Sequence, residues 1–459
     1  MVKQLIKKIT PSFLLDFYYY SVAFLGALFF GFPSRRIFVL GVTGTKGKST
    51  VLELINVILE AAGKKTALLS SIRIKIGKQS QKNYIGNTMP GRAFIQRFLR
   101  QAVKAGCDYA LIEVTSQGVL QHRHRFIKWD AALFTNLAPE HIEAHGGFEN
   151  YREAKLKFFR YVRNLKNLKS EIRNPKQIQN SNLKIQNKTF FINGDDPDSR
   201  YFIEATKGGK MILYSEKDIL NSSAKSGSAS GGKFYILNSL LYPENIAAAV
   251  SFCRAIGIDN EIIKKAIENF PGVPGRMEIV QKEPFTVIID YAHTPDSLEK
   301  VYQAIGNPKS EILNPKQIPN SKNQNSKLIC VLGSAGGGRD KWKRPKMGEI
   351  AAKYCDEIIL TNEDSYDEPV LEIINQIEEG ISINQLNQHK LAVYKILDRK
   401  EAIKKALSLA KNGDVVIITG KGCESWLHLE KGKKIPWDER KIVEELLANL
   451  YKYDHEYHK

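Results

Sequence analysis

Cysteine is scarce and scattered in this chain of 459 residues. Cys107, Cys253, Cys330, Cys355 and Cys423 stand singly, and no C-x-x-C pair occurs. That excludes a zinc ribbon and offers no disulfide framework, so the expectation is buried free thiols in a reducing cytoplasm. Acidic residues are also in short supply. There are 49 Asp and Glu against 68 Lys and Arg, giving a net charge of +19. Such a balance suits polyanionic partners: nucleotide phosphates, nucleic acid or an anionic membrane. Part of the excess sits in two insert-like segments, residues 170–181 and 310–321, which match at ten of twelve positions. No third copy exists, so they define no repeat architecture. Their Asn, Gln and Lys content reads as polar surface loop, as does the Ser- and Gly-rich stretch 222–232.

No small-residue cleavage site follows the apolar run of residues 13–32, so a cleaved signal is not expected. The run is near the length that spans a bilayer. Lys3, Lys7 and Lys8 precede it, Arg35 and Arg36 follow it, and Tyr18, Tyr19 and Tyr20 lie within it. Three readings stand side by side: a helix docked on the following domain, an in-plane membrane anchor, or a true span.

What is present is ordinary for a globular protein, with 43% hydrophobic and 25% charged residues. The length allows two or three domains. Strand-like and helix-like segments alternate, which predicts an α/β fold. The most informative stretch is Gly41-Val-Thr-Gly-Thr-Lys-Gly-Lys-Ser-Thr50. It follows the apolar run Ile37-Phe-Val-Leu40 and opens a helical pattern from Val51 to Ala62. Strand, glycine turn and helix is the layout of a phosphate-binding loop, in which backbone N–H groups converge on phosphate oxygens. Lys48 would reach the terminal phosphates, and Ser49 or Thr50 would ligate Mg²⁺. The usual first glycine is replaced by Val42, with Gly41 and Gly44 on either side.

Further candidates lie at strand ends, where ligands sit in open α/β sheets. Glu113 ends the strand Tyr109-Ala-Leu-Ile112 and is placed to hold Mg²⁺ directly or through water. Thr135-Asn-Leu-Ala-Pro-Glu-His141 follows the strand 131–134, and a helix carrying Lys155 comes next. Taken singly, such a histidine or lysine reads as a surface residue. Pro271-Gly-Val-Pro-Gly275 looks like a hinge. Beyond it, strands are predicted at 286–290, 328–332, 357–360 and 414–418. Asp290-Tyr-Ala-His-Thr-Pro295 and the cation-loaded glycine turn Gly333–Arg344 follow two of them. That turn suits phosphate or carboxylate clamping.

Together, in this order, these motifs resemble the Mur ligase family, and most nearly the member that adds the third residue of the peptidoglycan stem peptide. The resemblance implies a P-loop central ATPase domain with a mostly parallel sheet at 37–275, a C-terminal Rossmann-like ligase domain at 276–459, and an apolar helical segment at 1–36. It implies an ATP-dependent carboxylate–amine ligase that joins an amino acid (diaminopimelate, lysine or similar) to a muramyl-peptide acceptor through an acyl phosphate. The family's phosphate loop is similar to Gly44, Thr45, Lys46, Gly47, Lys48, Ser49 and Thr50. Its Glu-Val-Ser-Ser-His stretch resembles Glu113-Val-Thr115-Ser116-Gln117, with the following arginine at Arg123. Asn245 resembles the adenine-contacting asparagine, and Arg276, Asp290 and His293 match nucleotide-handling positions. Arg339 and Arg344 match phosphate- and substrate-handling ones.

By resemblance, Lys155 is a carbamylated lysine, and Ser49, Glu113, His141 and Lys155 hold two Mg²⁺. Lys48, Lys155, His141 and Arg344 inherit catalytic roles. The family's Asp-Asn-Pro-Arg motif is replaced by Glu363-Asp364-Ser365-Tyr366, and Gly-Lys-Gly-His-Glu by Gly420-Lys-Gly-Cys-Glu424. Glu363, Asp364, Tyr366, Gly420 and Glu424 are therefore the amino-acid candidates, and the amino acid stays open. About 36 residues precede the first strand, so the family's N-terminal UDP-gripping domain is not expected. That leaves open whether the acceptor is UDP-linked or lipid-linked, with residues 13–32 a candidate peripheral membrane contact on a cytoplasmic enzyme. No specific nucleic-acid partner is expected. Two alternatives stand beside this reading. One is a folylpolyglutamate synthetase-like ligase, which would carry Asp-Gly-Ala-His where this chain has Asp290-Tyr-Ala-His293. The other is a basic ATPase on membrane or nucleic acid without ligase chemistry.

Overall fold

The computed structural model describes residues 10–85, 88–140, 142–165, 188–220, 243–306, 326–385 and 391–457. Both insert-like segments, the Ser/Gly stretch and His141 lie outside these described residues. The chain forms two compact units. The first runs to Phe270 without Glu140–Ala144, and the second holds Glu140–Ala144 and the chain from Pro271 onward.

The first unit is built on an eight-stranded sheet in the order β4-β3-β2-β5-β1-β6-β7-β8. Its strands are β1 (Phe38–Thr43), β2 (Thr66–Leu69), β3 (Arg73–Ile76), β4 (Gln79–Lys82), β5 (Tyr109–Glu113), β6 (Ala131–Phe134), β7 (Thr189–Asn193) and β8 (Lys210–Tyr214). Strands β2, β5, β1, β6, β7 and β8 are parallel, while β3 and β4 fold back antiparallel at one edge. The central strands are apolar on both faces because helices cover both. Among these helices are α1 (Ser12–Phe29), α2 (Lys48–Ala61), α3 (Arg92–Lys104), α4 (Ser116–Leu120), α5 (Phe148–Asn164) and α6 (Pro243–Ala255). Ile95, Phe98 and Leu99 of α3 and Phe158, Phe159 and Val162 of α5 pack on one face, and α2 with α6 on the other. The chain leaves β1 toward β2 on one side, while β6 to β8 lie on the other. The carboxyl end of β1 is thus the switch point of the sheet, where a ligand-binding crevice opens.

The apolar run at the N-terminus is a docked helix. Ala23, Gly26 and Ala27 of α1 are buried, and Gly26 lies against the backbone of Ala93 so closely that a Cβ there would meet its Cα at 3.2 Å. Asp16 pairs with His122 at 2.7 Å, and Tyr20 and Phe24 meet Phe126 edge-on. Among the described residues no helix is long and apolar enough to cross a membrane.

The second unit holds a six-stranded sheet in the order β13-β12-β11-β14-β10-β9. Its strands are β9 (Glu278–Gln281), β10 (Thr286–Asp290), β11 (Leu328–Leu332), β12 (Glu357–Leu360), β13 (Ala392–Lys395) and β14 (Val415–Thr419). All are parallel except β9. A small hairpin, β15 (Trp426–His428) with β16 (Lys434–Pro436), follows. Alternation along β10 divides the core: Ile288 faces helices α7 (Pro295–Gly306), α8 (Lys343–Tyr354) and α9 (Val370–Gln385). Val287 and Ile289 face α10 (Arg399–Leu409) and α11 (Glu439–Tyr457). The predicted strands fall where expected, β14 one residue later. The expectation of free thiols fails for two cysteines. Cys330 on β11 and Cys355 just after α8 form a disulfide, because the parallel crossover brings their Cα atoms to 6.1 Å. Cys107, Cys253 and Cys423 are free.

Candidate active site

In the first unit the site grows from the turn between β1 and α2. Gly44 and Gly47 adopt positive φ, +153° and +79°. A side chain is excluded at both: a Cβ would lie 1.9 Å from Thr135 Oγ1 at Gly44 and 2.1 Å from Asn245 Oδ1 at Gly47. Thr135 Oγ1 donates to the Lys46 carbonyl at 2.7 Å, and the Thr45 and Lys46 amides donate to Asn136 O and Oδ1, each at 2.8 Å. The loop is therefore held open by the segment after β6, with the N-terminus of α2 behind it. This is a cradle for phosphate oxygens.

Charged groups converge on that cradle. Lys48 Nζ donates to Thr45 O at 2.7 Å and stands 3.9 Å from Glu113 Oε1. Ser49 Oγ donates to Glu113 Oε2 at 2.9 Å, and the Ser71 amide donates to the same oxygen at 2.9 Å. Thr50 is buried behind them. Lys155 on α5 is buried and donates to Gly44 O at 2.7 Å. Ser116 Oγ lies 3.1 Å from His145 Nε2, and burial, then the Lys155 charge, lowers the His145 pKa. Thr115 caps α4, its hydroxyl accepting from the Gly118 amide at 3.1 Å. Arg123 donates to Met89 O and, at 2.7 Å, to Gln121 Oε1.

The donors fit Mg²⁺. Ser49 and Glu113 offer hard oxygens side by side at the mouth of the cradle, the kind of partial ligand set that Mg²⁺ completes with water and phosphate oxygens. No group of three or more His, Cys, Asp or Glu able to hold a metal by itself occurs among the described residues.

The second unit gathers its candidates at the carboxyl ends of β10, β12 and β14. Asp290 is buried and accepts from the Met277 and Ala292 amides, each at 2.7 Å. Burial raises its pKa, against Arg276 and those two bonds. Arg276 lies over the Tyr291 ring at 4.3 Å, and the Tyr291 hydroxyl donates to Glu424 Oε1 at 2.9 Å. His293 Nδ1 meets Tyr291 O at 2.8 Å, and Lys343 Nζ donates to His293 O at 2.9 Å. Burial lowers the Lys343 pKa.

At the centre Lys421, fully buried, donates to Asp364 Oδ1 at 2.9 Å and to Glu424 Oε2. Burial raises the Asp364 pKa to about 6, with Lys421 pulling the other way. For Glu424, burial is outweighed by Lys421 and the pKa falls. Glu363 is buried with Oε2 unpartnered, and a Cβ on Gly420 would meet that oxygen at 2.6 Å. Tyr366 has φ +51° and stacks on His428 at 4.9 Å; burial raises its pKa, with the nearby Arg339 charge pulling the other way. Arg344 stands apart. It is fully buried, and its guanidinium donates to Glu368 at 3.0 Å, Gln376 at 2.7 Å and Ala335 O at 3.0 Å.

Sequence reasoning missed Ser71, Asn136 and Lys421. Ser71 lies in no motif. Lys421 sits inside the quoted Gly420–Glu424 stretch, whose glycine pattern was the available signal.

Two successive stretches match known domains: residues 42–242 match the Mur ligase middle domain, and residues 275–422 the Mur ligase glutamate ligase domain. The chain belongs to the Mur ligase family. It is an ATP-dependent acid–amino-acid ligase of the kind that serves peptidoglycan synthesis, and Mur ligases use ATP and Mg²⁺. The UDP-N-acetylmuramoyl-L-alanyl-D-glutamate–2,6-diaminopimelate ligase of Aquifex aeolicus is 36% identical over 432 residues, covering 92% of this chain and 79% of the relative. The UDP-N-acetylmuramyl-tripeptide synthetase of a Roseiflexus species is 33% identical over 457 residues, covering 94% and 82%. Among solved structures, a diaminopimelate ligase matches with TM-score 0.52 at 24% identity, covering 90% of this chain and 79% of that one. FolC of E. coli with ADP matches with TM-score 0.60 at 17% identity, covering 95% and 94%. At those identities the structures speak for the fold alone.

Proposed function

We propose that this Mur ligase adds a diamino acid, diaminopimelate or lysine, to a UDP-N-acetylmuramoyl-dipeptide-like acceptor in the cytoplasm. The observation that carries the reading is the glycine cradle with Lys48, Ser49 and Glu113 converging on it. The acceptor carboxylate attacks the terminal phosphoryl group of ATP, giving an acyl phosphate and ADP. The amine of the incoming amino acid then attacks the acyl carbon, and phosphate leaves. Lys48 and the loop amides stabilise the charge spread over the transferring group. Mg²⁺, held by Ser49 and Glu113, with His141 a further ligand, supplies charge neutralisation when bound. Lys155 is a ligand only if its amine has taken up CO₂ as a carbamate, and its burial beside the loop suits that role. Thr115, Ser116 and Arg123 serve the acceptor, and Asn245, Arg276, Asp290 and His293 the nucleotide.

Glu424, Asp364 and the unpartnered oxygen of Glu363 suit the ammonium groups that diaminopimelate and lysine share. The two differ in a distal carboxylate, for which Arg339 beside Tyr366 is the cation at hand. The names of the relatives favour diaminopimelate. Tyr291 ties Arg276 to Glu424, a use of that position that a glycine cannot make, and this favours the muramyl reading over the folate one. The test is phosphate release from ATP with UDP-MurNAc-dipeptide and a panel of amino acids. Release stimulated by diaminopimelate or lysine is expected. No amino-acid-dependent release with this acceptor would overturn the reading.

A further inference from the structure

Helix α1 uses only one side to dock. Ala23, Gly26 and Ala27 are on the buried side, where Gly26 meets Ala93 of α3, whereas Phe13, Phe17, Leu25, Leu28 and Phe29 point outward, Phe17 being 70% and Phe29 83% exposed. These residues recur at helical spacing, so they form one apolar stripe along a helix of 18 residues, about 27 Å long. Single exposed apolar residues need no explanation, but a continuous stripe does. Tyr18 and Tyr20 are also exposed on this helix.

At the C-terminal end of the stripe lies a cavity of about 540 Å³, lined by Leu28, Phe29, Arg36, Arg97, Arg100 and Lys104 among others. None of these four cations pairs with a carboxylate among the described residues. Helix α3, which supplies three of them, reads Arg-Ala-Phe-Ile-Gln-Arg-Phe-Leu-Arg-Gln-Ala-Val-Lys and contains no acid. An apolar stripe thus runs directly into a set of unneutralised cations.

We propose that the outward face of α1 and this basic cavity form a docking surface for an anionic lipid bilayer. The apolar stripe enters the boundary between headgroups and acyl chains, and the cavity takes headgroup phosphates. Charge complementarity selects this occupant. A second copy of the chain docked face to face would set the same four cations against one another, which a symmetric interface cannot relieve. A bilayer presents apolar chains and anionic headgroups at adjacent depths, matching the order of side chains on the protein. The helix lies on the surface rather than across it, since it is docked along one side. The inference is independent of which amino acid the enzyme adds.

The test is flotation of the full chain with vesicles of phosphatidylcholine alone or mixed with phosphatidylglycerol, with and without added salt. Binding to the anionic vesicles that weakens with salt is expected, with the protein left behind by phosphatidylcholine alone. R97E/R100E should weaken binding on the order of 100-fold, and L25E/F29E at least about tenfold. All four side chains lie at the surface, so thermal unfolding should stay at the wild-type temperature in both variants. Failure to float with either vesicle would overturn the proposal, as would flotation indifferent to R97E/R100E. A concentration-dependent dimer of the wild type, lost in L25E/F29E, would assign the face to a second copy and also overturn it.

Discussion

The two strand-end sites of this ligase are built on opposite principles. At the end of β1 the backbone does the work: glycines at positive φ, amides locked to Asn136, and a threonine filling the space where a Cβ would be. At the ends of β10, β12 and β14 side-chain charges balance one another in a buried network centred on Lys421. A backbone cradle tolerates loss of a reactive side chain because its shape is set elsewhere. A charge network does not, because each member neutralises the next.

The contrast is broken most severely by two lysine substitutions. Lys48→Ala should lower ligation turnover by about 1,000-fold or more while shifting thermal unfolding little, since its side chain is partly exposed and what it holds within the protein is one bond to Thr45 O and a loose 3.9 Å approach to Glu113. Steady-state kinetics and calorimetry on the same sample check both halves. Lys421→Met should act the other way, destabilising the protein by about 3 kcal/mol because Asp364 would remain buried without its cation while Glu424, half-buried, keeps contact with water. Denaturant unfolding measures this, and wild-type stability in that variant would contradict the contrast.

Acid should pull the two units in opposite directions. His124 is buried between Phe158 and Tyr161, and burial pushes its pKa down to about 3. The unfolded chain therefore binds a proton that the folded one refuses. Stability falls by about 1.4 kcal/mol per pH unit as pH drops below about 6.5. His124→Phe should remove that slope in unfolding curves taken from pH 7 to pH 5. Asp364 has the reverse sign. With its pKa raised to about 6, the folded state holds the proton more tightly, so its contribution improves as pH falls from about 6 toward the unfolded value of about 4. Asp364→Asn should flatten that gain. The smallest effect concerns selectivity. Tyr366→Arg adds a guanidinium beside Arg339 and should shift the ratio of kcat/KM for diaminopimelate over lysine upward by about tenfold.

The same contrast explains what was legible in the sequence. A backbone cradle demands glycine at fixed places, so the β1 loop, the carboxylate at the end of β5 and strands β1, β5 and β6 could be read directly, whereas β2, β7 and β8 were not. The antiparallel edge of β3 and β4 could not, because short polar strands such as Gln79–Lys82 carry little periodic signal. The charge network depends on which strand ends meet, and only the order β12-β11-β14-β10 brings Asp364, Lys421 and Tyr291 into range. The disulfide was hidden for the same reason, since Cys330 and Cys355 become neighbours only through a crossover. For α1, hydrophobicity alone does not separate docking from anchoring. The docking side was decided by small residues, Ala23, Gly26 and Ala27, that let two helices approach.

The central claim is that the cradle at Gly44–Ser49 drives ligation by passing a phosphoryl group to the acceptor carboxylate. Its most direct test uses acceptor labelled with ¹⁸O in the reacting carboxylate and follows the label during turnover with the amino acid. The mechanism predicts that one labelled oxygen appears in each inorganic phosphate released. Release of unlabelled phosphate at the same rate as peptide formation would contradict it.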